Sequence, residues 1–364
     1  MIRNTTFVLT LLALSHSMGK ADYTAVDLLS TYGFQSSIFN SSGQFAGTQS
    51  NNAFLFTPGV GTTNLGTLGG PTSTATAISS NGIVAGNSAT SAVSPQHAFL
   101  WQPGIGMTDI GTLGGNTSQA NGVSSSAAVV GRSQLSGGTQ HAFLWQPGVG
   151  MTDIGTLGGN TSQAMAVTNG GRVVGTAQDS SGNTRPFLWT STDGILDLGT
   201  LGGSVGTARA ANDNGLVVGQ ARRLDDSNGA FLWTSAGGMI DLGTLGGTTA
   251  GATGVNSLNQ VVGFADTLDD GQHAFIWDSV NGLRDLNSLV SGLNLTSALA
   301  INDHGAIIAA ANGNDGLQLF LLTPNDDTPP VETPAPPAVV LAGLAGLTGL
   351  AMRRFRSHST SCRS

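Results

Sequence analysis

Apolar positions in this chain come in short bursts, not long stripes. Three or four apolar residues are followed by a turn rich in Gly, Ser, Asn and Asp, and then by the next burst. Segments this short, with glycine between them, predict β-strands and argue against helices.

The pattern also repeats. Residues 97–120, HAFLWQPGIGMTDIGTLGGNTSQA, recur at 141–164 with one change, Ile105 to Val149. Trp101, Trp145, Trp189, Trp233 and Trp277 are each 44 residues apart, and Phe56 and Leu322 hold the same place 45 residues before and after. Gly86, Gly131, Gly175, Gly219 and Gly263 close a VVG-like segment in each copy. A fixed period in the forties is that of propeller blades.

One period reads as four strands. The first is a small-residue segment, 120–124, matched at 164–168, 208–212, 252–256 and 298–302. A turn leads to the VVG segment, and a polar loop leads to AFLW, whose alternation puts Phe99 and Trp101 on one face and Ala98 and Leu100 on the other. The fourth is 107–110, after which GTLGG crosses to the next unit. Complete units begin near Ser36, Ala75, Ala120, Ala164, Ala208 and Ala252, while a seventh, from Ala298, supplies only three strands. Its missing strand reads at the other end of the chain, as YTAVDL at 23–28. The expected fold is therefore all-β: a seven-bladed β-propeller of ~44-residue four-stranded repeats, its last blade closed by the N-terminal strand. An open solenoid would gain nothing from such complementarity and would need capping repeats.

Composition adds location. Residues 1–21 carry Arg3, an apolar run at 7–14 and a small-residue end, the order of a secretory signal peptide with cleavage between Ala21 and Asp22. The one lysine, Lys20, lies in that segment, and the one cysteine, Cys362, lies near the other end, so the repeats hold no internal disulfide. Between residues 22 and 325 there are 18 Asp against 7 Arg, a net of −11. An acidic, lysine-free body lacks the basic footprint that nucleic acid requires.

Candidate chemistry is sparse. His97, His141 and His273 open the AFLW strand of different blades, too far apart to share one metal, and read as strand-end residues bonded to loop backbone. Asp27, Asp109, Asp153, Asp197, Asp241 and Asp285, with Asn64 in one copy, each precede a turn and read as acceptors of backbone N–H bonds. The irregular positions are the weak ligand candidates: Arg209, the single charge on the small-residue strands beside the channel, and the acidic loops Asp225-Asp226 and Asp269-Asp270. Those loops lack the alternating spacing of a calcium site, and no residue set calls for a cofactor.

HAFLW at 97–101 and 141–145, HAFIW at 273–277, DLGTLGG at 197–203 and 241–247, and NDNGLVVG at 212–219 together resemble the HAF-repeat family of extracellular repeat proteins. The resemblance covers nearly all of 22–325 and implies a secreted bacterial repeat protein; it brings no catalytic residues. After it come a Pro-rich linker, 326–337, and a tail, 338–364, with an apolar run at 338–352 and the basic cluster Arg353, Arg354 and Arg356. This tail is similar to a PEP-CTERM sorting signal, which implies processing by an exosortase and at least transient membrane engagement through an apolar transmembrane helix. It departs from that pattern in reading Pro334-Ala335-Pro336, with Glu332 displaced upstream.

Two functions follow. The near-verbatim blades favour a monomeric, non-enzymatic structural or binding module of the extracellular matrix, in contact with polysaccharide or matrix protein. The alternative is a carbohydrate-active hydrolase or lyase, which needs carboxylates converging at the channel mouth.

Overall fold

The computed structural model describes residues 22–34, 36, 38–91, 95–269, 271–313 and 316–325. The chain divides into Met1–Asn325 and Asp326–Ser364. The signal segment through Ala21, the linker 326–337 and the tail 338–364, with Pro334, Ala335, Pro336, Arg353, Arg354 and Arg356, lie outside the described residues, as does Asp270. Among the described residues no helix is long and apolar enough to cross a membrane.

The strands form seven four-stranded antiparallel sheets arranged as blades in a ring. Blade three shows the plan: Gly114–Val123, Val129–Leu135, Gln140–Gln146 and Gly150–Gly155, hydrogen-bonded in chain order. First strands of successive blades neighbour one another, so they line the axis, and fourth strands lie at the rim. Blade seven takes Leu295–Ile301, Ile307–Gly313 and Gly316–Pro324 from the end of the repeats and Tyr23–Asp27 from their start. Tyr23 pairs with Pro324 and Asp27 with Phe320, so the expected closure is present.

The axial strands are longer than their small-residue segments, because the last two glycines of GTLGG belong to the strand and not only to the crossing. A Cβ on Gly115 would lie 2.6 Å from the Gln134 carbonyl oxygen, so only glycine lets the two strands approach there. Register shifts at Asn121, which stands unpaired between Ala120 opposite Gly131 and Gly122 opposite Val130. This bulge drives the Gln119 carbonyl onto Gly131, where a side chain would collide with it, and so accounts for the glycine of the VVG segment.

The core is divided among the seven interfaces between blades. Phe143 of blade three is fully buried against Ala98, Leu100 and Ile110 of blade two, and Phe187 of blade four repeats this against Ala142, Leu144 and Ile154 of blade three. The AFLW strand thus sends its Phe toward the preceding blade and its Ala and Leu toward the following one. Burying one such phenylalanine contributes up to about 3 kcal/mol. The ring stays together because every blade both supplies a plug and receives one.

Candidate functional site

Two polar arrays, a few scattered charged residues and two cavities are the places where this fold could do chemistry or bind. The first array lies where the third strand of a blade begins and its fourth ends. His97 Nδ1 lies 2.9 Å from an Asp109 carboxylate oxygen, His141 Nδ1 2.9 Å from Asp153, and His273 Nδ1 2.7 Å from Asp285. The same carboxylates accept a backbone amide two residues on: Gly111 to Asp109, Gly155 to Asp153, and Asn287 to Asp285, each at 2.8 Å. The turn reading of the aspartates therefore holds, whereas the histidines bind these carboxylates and not loop backbone. Each pair clamps two strands of one blade.

Blades four and five make the clamp with arginine. Arg185 Nε lies 3.1 Å from Asp197. In blade five the position of the histidine is Gly229, and Arg223 reaches over it to hold Asp241 through Nε at 2.5 Å and Nη2 at 3.0 Å. A Cβ at Gly229 would meet the Leu201 side chain at 2.5 Å and the Arg223 guanidinium at 3.0 Å, so the glycine leaves room for both side chains. Its hydrogen bond to Asp241 pushes the Arg223 guanidinium further up. Burial pushes the Asp241 carboxyl up, but the Arg223 bond, the Gly243 amide and the Arg223 charge outweigh it and hold the group below the usual carboxylate range.

The second array is a belt around one mouth of the axial channel. Asn40 donates to the Ser79 carbonyl at 3.0 Å and Asn81 to the Ser125 carbonyl at 2.9 Å. The Ser125 amide donates to Asn169 at 3.0 Å, and Asn169 donates to Asp213 at 2.9 Å. Asn212 then donates to the Asn256 carbonyl at 2.8 Å, Asn256 to that of Asn302 at 3.0 Å, and Asn302 to that of Asn40 at 3.3 Å. The circle closes through all seven blades. A cavity of about 280 Å³ at this mouth is lined by belt residues including Ser125, Asn169, Asp213 and Asp303. Their polar groups bond from blade to blade, so the mouth works chiefly as a fastening.

The irregular candidates are scattered. Arg209 is exposed on the axial strand Gly202–Ala211 with no bonded partner among the described residues. Asp225 accepts the hydroxyl and the amide of Ser227 at 2.6 and 3.0 Å, which hold its carboxyl below the usual range. Asp226 has φ 67° and pairs with Arg222. Asp269 is exposed in the next blade's loop. The structure brings none of them together, and among the described residues no three His, Cys, Asp or Glu converge on a metal-sized site.

The second cavity was not foreseen from the sequence. It measures about 410 Å³ and lies in the cleft between blades three and four, lined by Arg132 and Gln140 from one side and Thr161, Gln163, Thr176 and Gln178 from the other. The side chain at the Arg132 position, one after the VVG glycine, ties neighbouring blades together elsewhere. Asn87 accepts the Ala120 amide of the next blade at 2.8 Å, and Gln220 donates to the Ala250 carbonyl of the next at 3.3 Å. Arg132 instead turns back onto Gln119 of its own blade, Nε to Oε1 at 2.9 Å, and the cleft stays open. The signal was present in the sequence as a lone arginine where the other copies carry uncharged residues.

No protein-family profile matches the chain, and no curated protein matches it. Among solved structures it is similar to TolB from Acinetobacter baumannii at 13% identity, over 81% of this chain and 66% of that one, with a TM-score of 0.44. It is similar to a chain of the mitotic checkpoint complex at 13% identity, over 88% and 100%, with a TM-score of 0.49. The BP39L lectin from Burkholderia pseudomallei is 9% identical over 84% and 97%, with a TM-score of 0.46.

Proposed function

We propose that this chain is a secreted, non-enzymatic binding module of an extracellular polysaccharide matrix. The observation that carries this reading is the contrast between the clamps and the cleft. The repeated carboxylates, which a hydrolase would need free and paired, are each held by a histidine, an arginine or a backbone amide within their own blade. In the blade three–four cleft, by contrast, the side chains of Thr139, Gln140 and Thr161 have no hydrogen-bond partner among the described residues. Free amides and hydroxyls beside an open cavity suit sugar hydroxyls, which both donate and accept.

Delivery belongs to the same proposal. The signal-like segment ending at Ala21, the HAF-type repeats and the tail resembling a PEP-CTERM signal fit export, surface sorting by an exosortase-like enzyme and retention in the matrix. The test is to incubate the intact chain with a panel of bacterial and plant polysaccharides, following both retention and release of reducing ends. Retention without release is expected. Turnover of any polysaccharide, abolished by a single Asp substitution, would replace this reading with a carbohydrate-active enzyme.

A further inference from the structure

Arg132 distinguishes the cleft between blades three and four from a neutral sugar groove. Between residues 22 and 325 the chain has seven arginines and 18 aspartates. Arg185, Arg222, Arg223 and Arg284 are paired with carboxylates, and Arg172 donates to the Asp213 carbonyl at 3.1 Å. Arg132 has only the neutral Gln119 on its Nε, so its two terminal nitrogens have no partner among the described residues. No acidic residue lines the cavity that it borders. In so acidic a body, a guanidinium left without a carboxylate beside a cavity of about 410 Å³ is the distinguishing feature of this cleft. That volume lies within the ~300–1,000 Å³ range of ligand pockets.

The neighbouring interfaces explain why the opening occurs here. Between blades four and five, a Cβ on Gly206 would already lie 3.1 Å from Pro186, so proline closes the approach. Between five and six, Gln220 donates to the Ala250 carbonyl and bridges the two blades. Between two and three, Asn87 forms the bridge. In blade three the glutamine at 134 is also engaged, accepting the Asn116 amide at 3.0 Å.

Resting on the binding-module reading above, we propose that this cleft binds an acidic sugar, with the carboxylate of a uronic acid residue on the free edge of Arg132 and the ring hydroxyls on Thr139 and Gln140 beside it. A planar guanidinium edge presents two parallel N–H donors, the geometry that a carboxylate accepts. The amides and hydroxyls around it supply both donors and acceptors for hydroxyl groups. No aromatic side chain lines the cleft, so polar contacts and not ring stacking set its selectivity. The negative charge of the rest of the body disfavours polyanions on other surfaces, and of the arginines without a carboxylate only Arg132 borders this cavity.

The test is calorimetric titration of the intact chain with short oligogalacturonates and with the same oligomers methyl-esterified, which keeps the shape and removes the charge. The acidic oligomer should bind about tenfold tighter or more, a difference of about 1.4 kcal/mol. R132Q should abolish that preference with an unchanged melting temperature, and R132K should restore part of it, since lysine keeps the charge but loses the fork. Q140A should weaken both oligomers, and R209Q, at the other unpaired arginine, should weaken neither. A preference that survives R132Q, or equal binding of the two oligomers by the wild-type chain, overturns the proposal. If neutral polysaccharides bind while uronates do not, the acidic site falls and the binding module stands; if no polysaccharide binds at all, both fall.

Discussion

The interface between blades three and four and the one between blades seven and one do the same job with different materials. At three–four the packing is the repeat's own: Phe187 against Leu144 and Ile154, and Ser162 as a peg that takes the Ala142 amide at 2.8 Å and donates to the Gly155 carbonyl. At seven–one, where the chain's two ends meet, Tyr32, Phe34, Phe45, Phe54 and Phe56 interlock with ring centroids 5.2–6.4 Å apart, over Leu28, Ile308 and Leu319. The clamp is missing as well: Gln318 stands at the histidine position, and Asp27 caps the short helix Leu28–Tyr32 through the Ser30 amide at 2.7 Å. A copied interface fits because each blade's two faces were copied together. The closing one joins the least regular copies, and a dense aromatic cluster takes the place of that inherited fit.

Removing the closing strand tests this contrast most severely. Deleting residues 22–28 strips blade seven of its rim strand and opens the edge of Gly316–Pro324 to solvent. It also removes Leu28, which is fully buried. The expected result is loss of the cooperative transition in thermal melts, since the change exceeds a typical stability of about 5–15 kcal/mol in part or whole. An unchanged melting temperature would mean that the ring does not depend on its closure. Next in size, F34A in the aromatic cluster and F187A in a regular interface should each cost about 3–5 kcal/mol. Hydrogen exchange separates them: F34A should release Tyr23–Asp27 first, and F187A should loosen blades three and four.

Alkaline pH addresses the closing region alone. Burial pushes the Tyr23 phenol up to about 12, against a smaller opposing effect of Arg284. A phenol raised in the folded state keeps its full stabilising contribution below the ordinary value near 10 and loses it as pH rises through the folded value. Two units correspond to about 2–3 kcal/mol. No lysine lies in the described residues to titrate across that window. Urea midpoints measured from pH 9 upward should therefore fall between roughly 10 and 12 and stay level in Y23F. A Y23F profile as steep as wild type would locate the alkaline weakness elsewhere.

The fold was legible because the chain contains its own alignment. The 44-residue spacing of Trp101 through Trp277 counted the blades, and the orphaned three-strand unit pointed to residues 23–28 as its partner. The clamps were half legible. Asp109 and its counterparts announce their turns, but the partner twelve residues upstream appears as His97, His141, Arg185 and His273 only when copies are compared for exchange of one cation for another. Blade five hides even that, since its cation comes from Arg223 on a different strand and the matching position is Gly229. The open cleft was legible only as a lone arginine at 132, where the other copies carry uncharged residues. Whether Arg132 spans to the next blade or folds back on Gln119 is a matter of rotamer and neighbours, and no residue spacing records it.

Blade five therefore offers the smallest and most discriminating test of how copied and improvised contacts compare. D153N in blade three removes a half-exposed pair whose worth is below about 1 kcal/mol once solvent screening is allowed for. D241N should cost somewhat more, because Arg223 also donates to the Asn228 and Thr248 carbonyls at 3.0 and 2.8 Å and is held in place by both arms. Since Asp241 is held below the usual carboxylate range, its contribution is present above the unfolded value near 4 and lost as pH falls through the lower folded value. The stability gap between D241N and wild type should therefore be present at neutral pH and close on the acid side. A G229H change would restore the copied histidine while crowding Arg223, and should destabilise the blade if the arginine clamp depends on the space that glycine leaves. If G229H is neutral, the two clamps are interchangeable and the arginine is drift rather than a fitted replacement.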